Sequence, residues 1–326
     1  MAMGFFLLTL FLLSFSLFSV STQGGSSELS PYYYDKSCPK AMKIIAKVVK
    51  EAVHKEQRKA GALIRLHFHD CFVMGCDGSI LLDTVGDMES EKEAPMNKGS
   101  MLGFEIIDQV KSEIEKACPG VFSCADIVAV AARDASVFSD GPGWKVKLGR
   151  KDSKISSIER ATSDLPRPNS DVDELIARFK SNGLDETDMV ALSGAHTIGK
   201  ARCLTYRNRI YENSSYINPS FQKQRQNDCP VEPGQNDNFV EDLDLVTPKK
   251  FDNNYFKLLY HGLGLLTSDQ ALYLGGEGKT DKIVLNYAKN QRKFFRDFAK
   301  AMIKMGDIYD LTGSSGEIRK HCRKKN

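Results

Sequence analysis

The sequence has no run of clustered basic residues flanked by aromatics. Its charges nearly balance, with 45 Lys and Arg against 42 Asp and Glu, a net of +3. The electrostatic footprint of a nucleic-acid-binding protein is therefore missing. The one basic cluster, Arg319 to Lys325, reads as a solvated terminus. There is no internal repeat and no low-complexity tract, which excludes solenoids and disordered scaffolds. A second long apolar segment is also missing. The first, Phe5 to Val20, is shorter than the ~20 residues a spanning helix needs. No Lys or Arg precedes it, but the small and polar residues Ser21 to Gly25 that follow have the form of a cleavage zone. Residues 1–22 thus read as a signal peptide, with the mature chain starting near Gln23 and having no membrane segment of its own. What remains, 23–326, is long enough for one large domain or two packed lobes, and 41% hydrophobic residues is ordinary for a globular protein.

Eight cysteines follow the signal, an even count, and export with an even count argues for disulfides. The connectivity stays open at this level. Zinc is the rival use, but Cys71-x4-Cys76 has no second pair to complete a four-ligand site. Asn213-Ser214-Ser215 is a glycosylation acceptor, consistent with secretion.

The mature chain reads as mostly helical. Pro39 suits a first helical position, and Met42, Ile45, Val48, Val49 and Ala52 recur at helical spacing. A second helix carries Leu63, Arg65, Leu66 and His69. Gly75 to Gly103 reads as a long loop. Ile107, Val110 and Ile114 mark a further helix, stopped by Cys118-Pro119-Gly120. Ser123-x-x-Asp126 is a capping box opening an alanine-rich helix. Leu165-Pro166-Arg167-Pro168 cannot be helical inside and reads as a linker between lobes. Asp171 and Asp185 each cap a helix, the second running towards His196. Tyr211 to Asp242 reads as polar loop, and Trp144 to Leu148 alternates like a strand. Phe295, Phe298, Met302 and Met305 form an apolar stripe assigned to the core and to no cofactor.

Two motifs carry chemistry. In Arg65-Leu66-His67-Phe68-His69-Asp70-Cys71, Arg65 and His69 are four apart and share a helix face. A permanent cation beside a base that works near neutral pH can move a proton between two oxygens and stabilise the departing one. In Leu192-Ser193-Gly194-Ala195-His196-Thr197-Ile198-Gly199, a histidine among small residues leaves room for a flat ligand. Ser193 is no hydrolase nucleophile, because Leu192 and Ala195 break the Gly-x-Ser-x-Gly elbow. Alone, each motif is more often structural than functional; together they resemble something specific.

Arg65 to Cys71 followed by Gly75-Cys76-Asp77-Gly78-Ser79 resembles the distal motif of the class III, or secretory plant, haem peroxidases. Ala191 to Gly199 is similar to that family's proximal motif. Further pieces match in order: Cys38-Pro39, Cys118-Pro119-Gly120, Ser123 to Asp126, Trp144 to Asp152, Leu165 to Pro168, Phe251 to Tyr255 and Ser268-Asp269-Gln270. The resemblance covers nearly the whole mature chain. It implies a mostly α, two-lobed haem peroxidase fold with small β-hairpin elements only. The distal lobe would span about 23–168 and the proximal lobe about 169–326, with haem between them.

The resemblance also implies roles. His69 would be the distal acid–base, Arg65 the charge stabiliser, Phe68 a neighbour of the haem edge, and Asn97 the acceptor that fixes the His69 tautomer. His196 would be the axial ligand of the iron in haem b, with Asp269 accepting its second N–H. One calcium would take Asp70, Val73, Gly75, Asp77, Ser79 and, through water, Glu91; a second would take Thr197, Asp244, Thr247 and Asp252. Pro166 would help bind the donor. The implied disulfides are Cys38–Cys118, Cys71–Cys76, Cys124–Cys322 and Cys203–Cys229. Ile198 stands where an aromatic residue is also common, and the absence of a longer tail after Cys322 favours the apoplast or cell wall over the vacuole. The implied activity is reduction of hydrogen peroxide through a ferryl, porphyrin-radical state, with one-electron oxidation of small phenolic donors by a secreted monomer. The rivals are a catalytically silent calcium- or carbohydrate-binding protein on the same scaffold, and a zinc hydrolase using His67 and His69, disfavoured because residues two apart on a helix point apart and His67 is expected to pack inside.

Overall fold

The computed structural model describes residues 29–212, 216–308 and 315–326. The expected signal peptide, 1–22, and the glycosylation acceptor Asn213 lie outside the described residues. Thirteen α-helices are described: α1 Ala41–Lys55, α2 Arg58–Met74, α3 Phe104–Ala117, α4 Cys124–Val137, α5 Ile158–Asp164, α6 Val172–Ser181, α7 Glu186–Ser193, α8 Cys203–Tyr211, α9 Pro219–Asp228, α10 Asn254–Tyr260, α11 Thr267–Gln270, α12 Asp281–Lys289 and α13 Gln291–Gly306.

Helix α4 is the hub of the first half. Every residue except Arg133 and Val137 is buried, as expected of a helix apolar on all sides. Helices α1, α2 and α3 pack around it. In α1, Ile45, Val48 and Val49 are buried as the spacing predicts, whereas Met42 and Ala52 are only partly buried and Val53 completes the stripe instead. In the second half α7 packs on α13 and α6, and α10 packs on α12. One hydrophobic core runs through both halves, from Tyr34 to Cys322, while a smaller one holds α8 and α9 together around Cys203, Tyr206 and Phe221. The stripe on α13 is core at Phe298, Met302 and Met305, with Phe295 only partly buried.

The caps at Asp171 and Asp185 are present, and Asp185 forms a full capping box with Asp188. Several local readings are corrected. Ser123 caps α4 by accepting from Asp126 N, but Asp126 does not return the bond. Its carboxylate instead accepts from Tyr34 Oη, Arg150 Nη1 and the backbone of Gly149 and Arg150. Trp144 to Leu148 is no strand, because it has no partner strand to pair with along its length. Leu148 pairs with Ser30 alone, and the chain then turns into Asp126. The two described strands, β1 Lys200–Arg202 and β2 Val240–Asp242, pair antiparallel across the intervening helices rather than as a hairpin. Tyr211 to Asp242 is not all loop, because Asn218 caps α9 with Pro219 at its first turn.

Four disulfides join Cys38 to Cys118, Cys71 to Cys76, Cys124 to Cys322 and Cys203 to Cys229, the pairing that the resemblance implied. The chain end is strapped onto the first half. Arg319 is fully buried and donates to Cys322 O and Gly78 O, while its backbone N–H donates to Asp152 Oδ2.

Candidate active site

Helix α2 presents Arg65 and His69 on one face, while His196 sits in a 3-10 turn, Gly194–Thr197, that continues α7. The two elements meet where Gly61 of α2 lies against the backbone of Gly199. A Cβ on Gly61 would fall 3.3 Å from Gly199 Cα, so a larger residue would push the turn off the helix. Arg65, His69 and His196 all line one cavity of about 520 Å³, within the ordinary range for a cofactor or small-molecule site.

His69 is held by its ring nitrogens. Asn97 Nδ2 donates to Glu91 O at 2.7 Å, which turns Asn97 Oδ1 towards His69 Nδ1 at 2.6 Å. Nδ1 therefore carries the proton and Nε2 is a free base. Arg65 Nε donates to that Nε2 at 3.1 Å, and its other nitrogens are anchored on Met96 O, Ser100 O and Ser100 Oγ. Burial, reinforced by the Arg65 charge, holds His69 well below its ordinary pKa of 6.5, so it is neutral at pH 7. Burial, with help from Arg202, lowers Arg65 to about 10, which leaves it cationic. Phe68 lies edge-on to His69 at 5.7 Å, packs on Phe72, and lines the cavity with Phe179 and Pro166.

His196 is held by the same logic with a stronger acceptor. Its Nδ1 donates to Asp269 Oδ1 at 2.7 Å, which leaves Nε2 as the free nitrogen. Asp269 is buried, while the His196 side chain keeps 37% exposure in a residue that lines the cavity. The carboxylate is fixed twice more. Tyr255 Oη donates to the same Oδ1 at 3.0 Å, and Leu266 N donates to Oδ2 at 3.1 Å. Asp269 is thus also the helix cap that its position alone would suggest. Tyr255 is a site residue that the sequence reading did not single out, although it ends the quoted Phe251 to Tyr255 motif. Below His196, Gly194 is pressed against Phe294 and Phe256. Phe298, Met302 and Met305, assigned to the core alone, also reach the cavity wall.

Two oxygen clusters flank the histidines. Asp70, Asp77, Ser79 and Glu91 are buried together around the turn from Val73 through Gly75. Asp70 Oδ1, Ser79 Oγ and Glu91 Oε2 have no hydrogen-bond partner among the described residues. Burial pushes Asp70 well above the usual carboxylate range, with Asp77 adding to it; burial also raises Asp77 to about 6 and Glu91 to about 8. Buried oxygens without donors are costly, and a hard cation is the partner that would satisfy several at once. The second cluster surrounds Thr197: its Oγ1 reaches Asp244 Oδ2 at 3.1 Å, and Thr247 Oγ1 reaches Asp252 Oδ2 at 2.9 Å. Burial raises Asp244 as well.

The zinc alternative gains no support, and His67 is buried as expected. Among the described residues the only candidate group of transition-metal ligands is His67 with Cys71 and Cys76, and those sulfurs are joined in a disulfide. His67 packs in the core, and burial lowers it to about 3.

A model of the family described as peroxidase matches residues 45–290. The chain is 54% identical over 312 residues to the lignin-forming anionic peroxidase of Nicotiana sylvestris, covering 96% of each chain. It is 52% identical over 302 residues to peroxidase 4 of Vitis vinifera, covering 93% of each. It is also 52% identical over 303 residues to peroxidase 68 of Arabidopsis thaliana, covering 93% of this chain and 92% of that one.

Proposed function

The chain belongs to the plant peroxidase family and is a peroxidase, and from that premise we propose which residues do the work and on what. Hydrogen peroxide and two phenol molecules give two waters and two phenoxyl radicals. The cavity would hold haem b between a distal lobe, about 23–168, and a proximal lobe, about 169–326. Haem b, when bound, supplies a metal that takes two oxidising equivalents from peroxide and passes them on singly.

The protein's part follows from its hydrogen bonds. His196 would hold the haem iron through Nε2, because Nδ1 is committed to Asp269, and that bond makes the ring a stronger electron donor. His69 Nε2, a free base, would take a proton from the inner peroxide oxygen and return it to the outer one as it leaves. Arg65 would shift its Nε from His69 to the departing oxygen and stabilise its growing charge. Asn97 would keep His69 in the working tautomer, Phe68 would close off the haem edge, and Pro166 would help seat the donor.

The donor set of each oxygen cluster fits calcium. Asp70, Val73, Gly75, Asp77 and Ser79 would hold one ion, with Glu91 joining through water; Thr197, Asp244, Thr247 and Asp252 would hold the other. The first ion would steady α2 through Asp70 and the Glu91–Asn97–His69 chain of bonds; the second would steady the turn that carries His196. We take the enzyme to be a secreted monomer of the apoplast or cell wall, glycosylated at Asn213. Four disulfides suit an oxidising compartment, and among the described residues no helix is long and apolar enough to cross a membrane. The name of the Nicotiana relative favours a role in lignin formation, and wall cross-linking, peroxide removal and stress response use the same chemistry. A catalytically silent calcium- or carbohydrate-binding scaffold is not favoured, since Arg65, His69 and His196 all line the cavity.

The observation that carries this reading is that two histidines from different elements line one cavity, each with its Nδ1 proton tied down and Nε2 left free. The test is an absorbance spectrum of the calcium-loaded protein with haem, before and after one equivalent of peroxide. An intense haem band that changes on oxidation and recovers with a phenol is expected. Haem binding without that change, or no binding by a folded sample, would overturn it.

A further inference from the structure

The cavity has a lopsided charge. Six cations line it, Arg58, Arg65, Arg167, Lys200, Arg202 and Arg209, against the single acid Asp269. Three of the six are committed. Arg65 is bound to Met96 and Ser100, Lys200 pairs with Asp242 at 2.7 Å, and Arg209 donates to Gly264 O at 2.8 Å. Of the rest, Arg202 reaches only neutral acceptors, Asn238 Oδ1 and Lys98 O, and its Nε is buried without a partner. Among the described residues no carboxylate pairs with the guanidinium of Arg58 or of Arg167. Arg58 and Arg202 are half-buried, whereas Arg167 is exposed.

The backbone of Arg167 is held in place on both sides. It lies between Pro166 and Pro168, each of which fixes its own φ. Its N–H donates to Ser170 Oγ, its carbonyl accepts from Ser170 N, and Pro168 O accepts from the backbone N–H of Ser268, another residue of the cavity lining. The loop is pinned while the charged head is free.

Building on the peroxidase reading above, we propose that Arg167 is a specificity residue that selects phenolic donors bearing a free carboxylate, such as a 4-hydroxycinnamate, with the ring entering the cavity and the carboxylate paired at the mouth. Haem b carries two carboxylates of its own, and the two half-buried cations, Arg58 and Arg202, suit them. Arg167 is then the charge left over, and a planar guanidinium matches a carboxylate with two parallel hydrogen bonds.

The test compares 4-hydroxycinnamic acid with 4-hydroxycinnamyl alcohol, which differ in that charge, as donors for the haem-loaded enzyme and for the Arg167→Ala, Arg167→Lys and Arg167→Glu variants. The ratio of kcat/KM for the acid to that for the alcohol should fall about 1.5- to fivefold in Arg167→Ala, the range an exposed ion pair commands. It should fall further in Arg167→Glu and be partly restored in Arg167→Lys. Added salt should shrink the ratio in the parent and leave it nearly flat in Arg167→Ala. A ratio unchanged in all three variants overturns the proposal. So does a loss of bound haem in Arg167→Ala, which would assign the side chain to the cofactor. If the parent oxidises neither donor, the peroxidase reading itself fails, and the two failures are told apart.

Discussion

A histidine's two nitrogens can be given different tasks only if one is occupied, and both cavity histidines are arranged this way. Replacing His69 with Ala removes the free base and should slow the peroxide step by about two to four orders of magnitude while haem remains bound, as read by stopped-flow absorbance. An unchanged rate would sink the assignment. His67, two residues earlier, has the opposite use. It titrates near 6.5 when unfolded but near 3 when buried, so the unfolded chain binds the extra proton between those values and stability falls as pH drops through that window. His67→Leu should flatten this acid limb by about 2 kcal/mol between pH 7 and 4.5 in urea titrations; parallel profiles for parent and variant would refute it. Arg65 and His69 were legible because four-residue spacing fixes a shared helix face. Asn97 and Asp269 lie 28 and 73 residues from their histidines, and no local rule connects them. The resemblance supplied those two, but Tyr255 and Arg202 act through contacts that neither spacing nor the quoted motifs singled out.

Among the elements, the short turn that carries His196 has little tolerance for added volume. A Cβ at Gly194 would stand 2.5 Å from Phe294 and 2.8 Å from Phe256, and both rings are locked in a larger aromatic stack. Gly194→Ala should therefore cost about 1–3 kcal/mol by overpacking, seen as a lowered Tm. A Tm matching the parent would mean that the rings can yield. The long amphipathic helices were readable from period alone, since their buried faces are apolar. Helix α9 was not, because Phe221 is its one buried residue and only the Asn218-Pro219 pair marks its start. The failed strand at Trp144 to Leu148 has the right alternation but lacks a partner strand, a property of tertiary neighbours that no window of sequence contains.

Across the whole molecule, the C-terminal segment closes the first half of the fold. Cys322 is bonded to Cys124 at the start of α4, Arg319 is buried against the Gly78 turn, and Arg323 reaches Asp108 on α3. Replacing both Cys124 and Cys322 with Ser should cost about 2–5 kcal/mol in denaturant unfolding; a loss under 1 kcal/mol would show that the packed arginine holds the strap unaided. The single core running from Tyr34 to Cys322 was not legible, because it depends on how α2 meets α13 and the His196 turn. The strap also sets a schedule for synthesis. Cys38, Cys71, Cys76 and Cys118 can all find their partners among themselves early, but Cys124 must wait for a residue 198 positions later. At roughly 5–20 residues per second that is about 10–40 s with one thiol unpaired while Cys203 and Cys229 pass by, an interval in which a wrong pairing can form.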